Sequence, residues 1–496
     1  MSEFHPIIYV RGYAMTPGEI AQTVSTPYMG FNLGSTKVRQ SWTGDVERHV
    51  FESPLIRLMK EYDYRDIYSD GIEIAGPLPR KSIVIYRYYE TADKDLGSGR
   101  VLSIPEAAIG LRDLIHQVRQ QVCGDDPELF ETFRVHLVAH SMGGLVCRCF
   151  LQNDEISTRQ DRNLVSKVFT YATPHNGIEM AGFNVPSVLG LWDMNNFNRK
   201  QMANYLGLSG SPERVDTLDD KFDPQRFFCF VGTNHRDYEA AFGMSRRLAG
   251  EMSDGLVKIS NATVRGAPRA FAFRSHSGPY GVVNSEEGYQ NLVRFLFGDY
   301  RVDGVLEVEK LPLPPSVQKA RDEGRQVRAS YYFESTVAPR GALQFRLSER
   351  RRDTFSAILR RYDEMLDIEK AGLQSPRSPT LFSVFLDTRR ITVGRTLVFS
   401  LELAISTTGY TVDNRLWFDQ HVEGEYLFRD TLTIRATRGD EGWSLRYIRT
   451  DESFSEGRGR LAESDDDGFS IPLTSRKGFR ANLHLELQST EAMVPA

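Results

Sequence analysis

The segment Val135–Leu151, VHLVAHSMGGLVCRCFL, constrains the fold of this chain more than any other. A β-rich apolar run ends at Ala139-His140-Ser141-Met142-Gly143-Gly144, and a helical pattern follows at once. A strand that turns this sharply into a helix holds the apical serine in a strained backbone. Residues two positions to either side must then be small to clear the neighbouring elements. Ala139 and Gly143 meet that need, with alanine standing where glycine is usual. The helix that follows also aims N–H groups and its positive dipole end at the apex.

The surroundings agree with such a turn. Over the first 300 residues, strand-like runs at Ile7–Val10, Ile83–Tyr88, Val135–Ala139, Lys167–Tyr171, Phe227–Val231 and Ala270–Phe273 alternate with helical patterns at Glu106–Val122, Gly143–Leu151 and Glu286–Phe297. Such alternation predicts a parallel sheet covered by helices, an α/β domain. The segment KLPLPPSVQKARDEGRQ, Lys310–Gln326, reads as a linker because it is rich in proline and then in charge. Beyond it, short strand-like runs at Ala329–Phe333, Leu343–Leu347, Leu381–Leu386, Leu397–Leu403, Tyr426–Ile434, Ser444–Ile448 and Ala481–Leu487 are split by turn residues, with one helical pattern at Thr354–Lys370. A C-terminal β-rich, sandwich-like domain is expected there. The predicted organisation is a catalytic domain over 1–305 with a cap around 178–225, a linker over 306–327, and a β-rich accessory domain over 328–496.

Bulk properties remove some function classes. At 496 residues the chain exceeds one ordinary core. A net charge of −5 offers phosphates no basic excess, which argues against a nucleic-acid partner. No apolar run reaches the roughly 20 residues of a spanning helix. Met1–Ile8 lacks the basic and apolar regions of a secretory signal. Cys123, Cys147, Cys149 and Cys229 show no metal-ligand spacing and read as reduced core thiols. Together these predict residence in the cytoplasm and remain compatible with signal-less export.

A nucleophilic serine needs a base, and the base needs an orienting acid. Where serine sits on such an elbow, the acid and then the histidine follow in chain order. His276 lies in a loop between the run Ala270–Phe273 and the helix pattern Glu286–Phe297, and is the favoured base; His235 competes. Asp254, in Ser253-Asp254-Gly255-Leu256-Val257, is the favoured acid, with Asp237 as its rival. His140 and His175 read as structural or supporting, and His136 as a strand histidine.

Three segments together resemble the bacterial lipase and esterase branch of the α/β-hydrolases, over roughly residues 7–297. They are the elbow Ala139–Gly144, the Tyr171-Ala172-Thr173-Pro174-His175-Asn176-Gly177 segment, and Ser253–Val257. The second also resembles inositol deacylase-type lipases. The resemblance implies an α/β-hydrolase fold and an oxyanion hole formed by the N–H groups of Tyr13 and Met142. Arg11 stands where the family carries histidine before Gly12. No metal is carried over, because the position of the family's calcium-binding aspartate is Gly278 here. No cofactor is implied.

Ile178–Leu208 is rich in apolar residues and reads as a cap or lid over a greasy pocket, with Phe183, Leu189, Trp192 and Phe197 as candidate substrate contacts. This points to a lipid or phospholipid ester substrate. A cap packed on the core above a small ester or thioester, and a non-catalytic hydrolase-fold binding protein, are the alternatives. The C-terminal domain could meet a membrane surface or a protein partner; Arg350-Arg351-Arg352 with Arg360-Arg361 would offer a basic face, or merely a solvated one.

Overall fold

The computed structural model describes residues 4–12, 35–40, 46–51, 54–69, 72–73, 77–86, 88, 102–180, 183–184, 197–210, 213–236, 252–277, 281–340, 345–366, 375–390, 396–413, 420–440, 442–450, 459–464 and 468–490. Two compact units divide near Phe297, the second running from 298 to 492.

Seven strands form one sheet in the first unit. Their order is Arg269–Ala272, Phe227–Gly232, Val165–Tyr171, Val135–His140, Ile7–Val10, Ser82–Tyr86, Arg65–Asp66. Every pairing in it is parallel. Parallel strands covered on both faces read as unbroken apolar runs. Accordingly Val135–His140, Val165–Tyr171 and Phe227–Gly232 are buried at every position. Helix Ile104–Cys123 starts at a capping box in which Ser103 and Glu106 satisfy each other's backbone N–H. It packs against helix Met142–Gln152 beside the sheet. Helix Glu286–Phe297 ends on the buried Lys167, whose Nζ donates to the carbonyls of Phe295 at 2.8 Å and Leu296 at 3.1 Å. That places an amine donor at the negative end of the helix, where burial lowers its pKa to about 7. The unit has the α/β-hydrolase architecture.

The second unit is antiparallel. One sheet orders Thr380–Leu386, Tyr300–Lys310, Arg480–Ser489, Gly468–Thr474 and Glu463–Ser464; another orders Ser348–Arg350, Ser330–Pro339, Thr396–Thr407, Tyr426–Gly439, Gly442–Ile448 and Arg460–Leu461. Leu306, Ile471 and Leu483 from the first join Leu401, Leu432 and Ile434 from the second in a single apolar cluster. Alternating burial along these strands makes that core, as in a sandwich.

Three local expectations change. Residues 306–327 are no linker: strand Tyr300–Lys310 runs through position 305 between two antiparallel partners, and helix Pro315–Asp322 follows. The prolines start that helix, since Pro315 at its first turn has no N–H to leave unpaired. Thr354–Lys370 is not one helix. Ile358–Arg361 is a strand on Ser330–Phe333, and only Tyr362–Leu366 is helical; 367–370 lie outside the described residues. Ladder pairing there overrides a helical charge pattern. The strand expected at Leu343–Leu347 begins only at Ser348, with 343–344 outside the described residues. All four cysteines are free and buried. Among the described residues no helix is long and apolar enough to cross a membrane.

Candidate active site

Ser141 is the single residue between strand Val135–His140 and helix Met142–Gln152, at φ 53° and ψ −127°. A non-glycine residue at positive φ costs about 1–3 kcal/mol and persists only where neighbours enforce it. Here they do. The Ser141 N–H donates to Tyr171 O at 2.9 Å, and the Ser141 carbonyl accepts from Gly144 N–H at 3.0 Å and from the Thr173 hydroxyl at 2.9 Å. Close approach also depends on missing side chains. A Cβ on Gly143 would lie 2.0 Å from Val10 O, and one on Gly12 would lie 2.7 Å from Ser141 Cβ and 3.1 Å from Met142 N. The elbow is thus wedged between the end of strand Ile7–Val10 and the Thr173 loop.

His276 and Asp254 meet the serine from two loops. His276 Nε2 lies 2.9 Å from Ser141 Oγ, and Nδ1 lies 2.9 Å from Asp254 Oδ2. With Nδ1 protonated and donating to the carboxylate, Nε2 is left to accept the serine proton. Asp254 Oδ1 accepts from the N–H groups of Leu256 at 3.0 Å and Val257 at 2.7 Å. This is an Asx turn, and it fixes the carboxylate while leaving its other oxygen for the imidazole. Asp254 O also accepts from His276 N–H at 2.9 Å, so the acid holds its histidine by backbone and side chain alike. Both residues are buried. Gly232 permits the loops to converge, since a Cβ there would lie 2.6 Å from Arg274 O and 2.9 Å from Asp254 Cβ.

Two neighbours brace the site: His140, which the sequence marks as structural or supporting, and Arg148, which sequence reasoning missed. His140 Nε2 donates to His276 O at 3.0 Å. Burial, with His276 close by, holds its pKa down at about 3, so the ring stays neutral. Arg148, nearly two turns into the elbow helix, is fully buried and donates to Gln152 Oε1 at 2.9 Å and to the carbonyls of His175, Val215 and Thr217, each at 2.7 Å. It ties the elbow helix to the loop after Thr173. An arginine inside the apolar pattern LVCRCFL was the available signal. His175 is buried beside Thr170 and faces no reacting group; burial holds its pKa well below the ordinary value. His136 is likewise buried in the sheet, and His235 is half-buried after strand Phe227–Gly232.

The remaining candidates divide. Met142, at the first position of the elbow helix, presents its N–H beside Ser141. Phe197 is 6% exposed and belongs to the main apolar cluster with Met202, Tyr205 and Leu206, so this part of the cap packs on the core. Tyr13, Leu189, Trp192, Asp237 and Gly278, and the side chain of Phe183, lie outside the described residues. Among the described residues, no group of three His, Cys, Asp or Glu is arranged to hold a metal.

No family model and no curated protein matches this chain. Among solved structures, it is similar to the phospholipase PlaB from Legionella pneumophila, at 13% identity and a TM-score of 0.32, covering 80% of this chain and 86% of that one. It is also similar to the gene lin2722 product of Listeria innocua, at 12% identity and a TM-score of 0.26, covering 60% and 94%. Likenesses this distant fix no function, and the chemistry rests on the atoms of this chain.

Proposed function

We propose that this chain is a serine ester hydrolase that cleaves carboxylic esters of lipids or phospholipids. Ser141 is its nucleophile, His276 its base and Asp254 the orienting acid. The observation that carries the reading is the continuous contact from Ser141 Oγ through His276 to Asp254, with the serine on a strained elbow.

In the reaction, His276 Nε2 takes the Ser141 proton as Oγ bonds to the acyl carbon. The carbonyl oxygen becomes an oxyanion, met by the Met142 N–H and, from the family resemblance, that of Tyr13. Collapse breaks the ester C–O bond, and His276 returns the proton to the departing alcohol. Water then repeats the sequence on the acyl-serine and releases the acid. One lost oxyanion donor typically costs about 10² to 10³ in rate. The lipid part of the reading is supported by the apolar content of Ile178–Leu208.

Two measurements test it. Mass spectrometry after fluorophosphonate treatment should find the adduct on Ser141; no adduct on folded protein sinks the enzymatic reading and favours a binding role. A panel of phospholipids, triglycerides, short esters and thioesters, run with wild type beside Ser141→Ala, should release fatty acid only from wild type. Ser141-dependent turnover of short esters or thioesters alone would keep the nucleophile and discard the lipid.

A further inference from the structure

The second unit holds a basin of about 640 Å³ on its larger sheet, and the residues around it are charged in an unusual way. Its floor comes from three adjacent strands. Glu334, Ala404 and Arg429 stand opposite one another across Ser330–Pro339, Thr396–Thr407 and Tyr426–Gly439, as do Thr336, Glu402 and Thr431 one step further. Residues so paired share a face. Strand spacing puts Glu334 and Arg429 about 10 Å apart, and the small Ala404 between them leaves the depression. The turn Arg351–Asp353 forms a wall, held by the Arg352 N–H donating to Glu334 Oε2 at 3.0 Å.

Some of these charges answer each other. Arg351 makes a two-pronged contact with Asp353, at 3.1 Å on each side, and Arg449 pairs with Asp430. Four do not. Among the described residues, the guanidinium groups of Arg352 and Arg429 have no carboxylate partner. Each lies instead over a tyrosine ring, Arg352 at 4.7 Å from the centroid of Tyr332 and Arg429 at 5.6 Å from that of Tyr426. Stacking orients a guanidinium while leaving its N–H edges available. Glu402 is exposed and makes no hydrogen bond or close ion pair among the described residues, although Arg351 attracts it through space, and Glu334, half-buried, keeps Oε1 buried without a partner while its Oε2 takes the Arg352 N–H. A buried carboxylate oxygen left unpaired is costly, so such a group marks a place where a donor is missing.

We propose that this basin binds a zwitterion carrying a phosphate and an ammonium group, the chemistry of a phosphocholine or phosphoethanolamine headgroup. A simple anion would meet the two free carboxylates and a simple cation the two free guanidinium groups; a ligand of both signs satisfies all four. Phosphate fits better than carboxylate. One planar fork saturates a carboxylate, whereas a tetrahedral phosphate presents oxygens in several directions to arginines on a turn and on a strand. The ammonium goes to Glu334 and Glu402. The site stands independently of the hydrolase reading, because its binding is measured without turnover.

The experiment is calorimetric titration of the full chain carrying Ser141→Ala with phosphocholine, against inorganic phosphate, choline and glycine betaine. Phosphocholine should bind at least about tenfold more tightly than each of the others. Arg352→Ala with Arg429→Ala should remove at least about tenfold of that affinity, and Glu334→Gln should abolish the preference over inorganic phosphate. Thermal melting checks that the variants fold, and Arg352→Lys with Arg429→Lys supplies a milder pair. Absence of phosphocholine binding, equal binding of betaine, or affinity unchanged in the folded variants would overturn the site. Co-sedimentation with phosphatidylcholine vesicles assigns the headgroup to a lipid surface, and binding of free phosphocholine alone assigns it to a soluble ester; either supports the zwitterion.

Discussion

The Nε2 of His140 donates to the main-chain carbonyl of His276 at 3.0 Å, so the residue before the elbow serine fixes the backbone of the histidine that faces that serine. The bond spans 136 positions of chain. It belongs to the same turn that sets Ser141 at positive φ, and it thereby couples Ser141 and His276 through one structural element.

If His140 positions His276, His140→Ala should lower kcat by about tenfold, the worth of a neutral hydrogen bond of about 1.4 kcal/mol, with KM nearly unchanged. His140→Gln, which retains a donor, should recover part of the loss. Steady-state kinetics on any ester that wild type cleaves decides this; equal losses in both variants would mean a packing role only.

Asp254→Asn should leave the fold intact and lower kcat on the order of 10⁴, as in serine hydrolases where the tautomer of the histidine is lost. Ser141→Ala should cost on the order of 10⁶. A mild effect of the asparagine variant would return attention to Asp237 as the acid.

The two glycines after Ser141 should differ. A methyl at Gly143 would run into the backbone oxygen of Val10 at 2.0 Å, whereas one at Gly144 meets the side chain of Thr173, with Oγ1 at 2.2 Å. Backbone cannot step aside, whereas the Thr173 Oγ1 and Cγ2 can turn away, at the loss of the bond to Ser141 O, leaving its Cβ at 2.9 Å to give slightly. Gly143→Ala should therefore destabilise by about 1–3 kcal/mol, and Gly144→Ala by less while still lowering activity. Denaturant melts and rates, measured together, separate the two; the reverse order of stability would refute the wedge.

Arg148→Met should be among the most damaging single changes in the first unit. It leaves the carbonyls of His175 and Val215 without this donor, while Thr217 O keeps its bond from Gln152 Nε2, at about 1–3 kcal/mol for each group left unpaired. Arg148→Lys cannot replace a fork that serves four acceptors and should recover only part. Chemical denaturation at neutral pH reads the difference, and a variant within about 0.5 kcal/mol of wild type would show that the clamp is dispensable.

The first unit should be acid-sensitive. Burial lowers His5 to about 4 and His140 to about 3, and holds His136 and His175 well below the ordinary 6.5. Between 6.5 and those lowered values the unfolded chain binds more protons than the native one. The histidine contribution is therefore fully present above pH 6.5 and declines as pH falls, by about 1.4 kcal/mol per unit for each histidine kept neutral. Both ring nitrogens of His136 are buried without hydrogen-bond partners among the described residues. His136→Phe should thus flatten the decline, and calorimetric melting at pH 7 and pH 5 checks it.

Much of the first unit was legible because its signals are local. The helix pattern Glu286–Phe297 needs only apolar spacing, and it appears over those same residues. The C-terminal part was legible as strands but not in detail. Ile358–Arg361 lies among arginines and acids that mimic a helix surface, and it became a strand because Ser330–Phe333 lay beside it. The prolines at 312, 314 and 315 read as linker, since proline gives the same local sign before a loop and at a helix start.

The sequence by itself determined the elbow: small residues around Ser141, an apolar strand before it and a helix after it leave few other backbones open to that segment. It also narrowed the partners to a short list, because acid and histidine must follow on loops after later strands. Only the tertiary structure decided that His276 meets Ser141 on one side and Asp254 on the other, each at 2.9 Å, and that His140 and Arg148 brace the arrangement. Local stereochemistry is written in neighbouring residues. Convergence of loops 100 or more positions apart depends on strand order, on where backbones can approach at Gly12, Gly143 and Gly232, and on which carbonyls are left for a buried donor. Those quantities belong to the packed molecule.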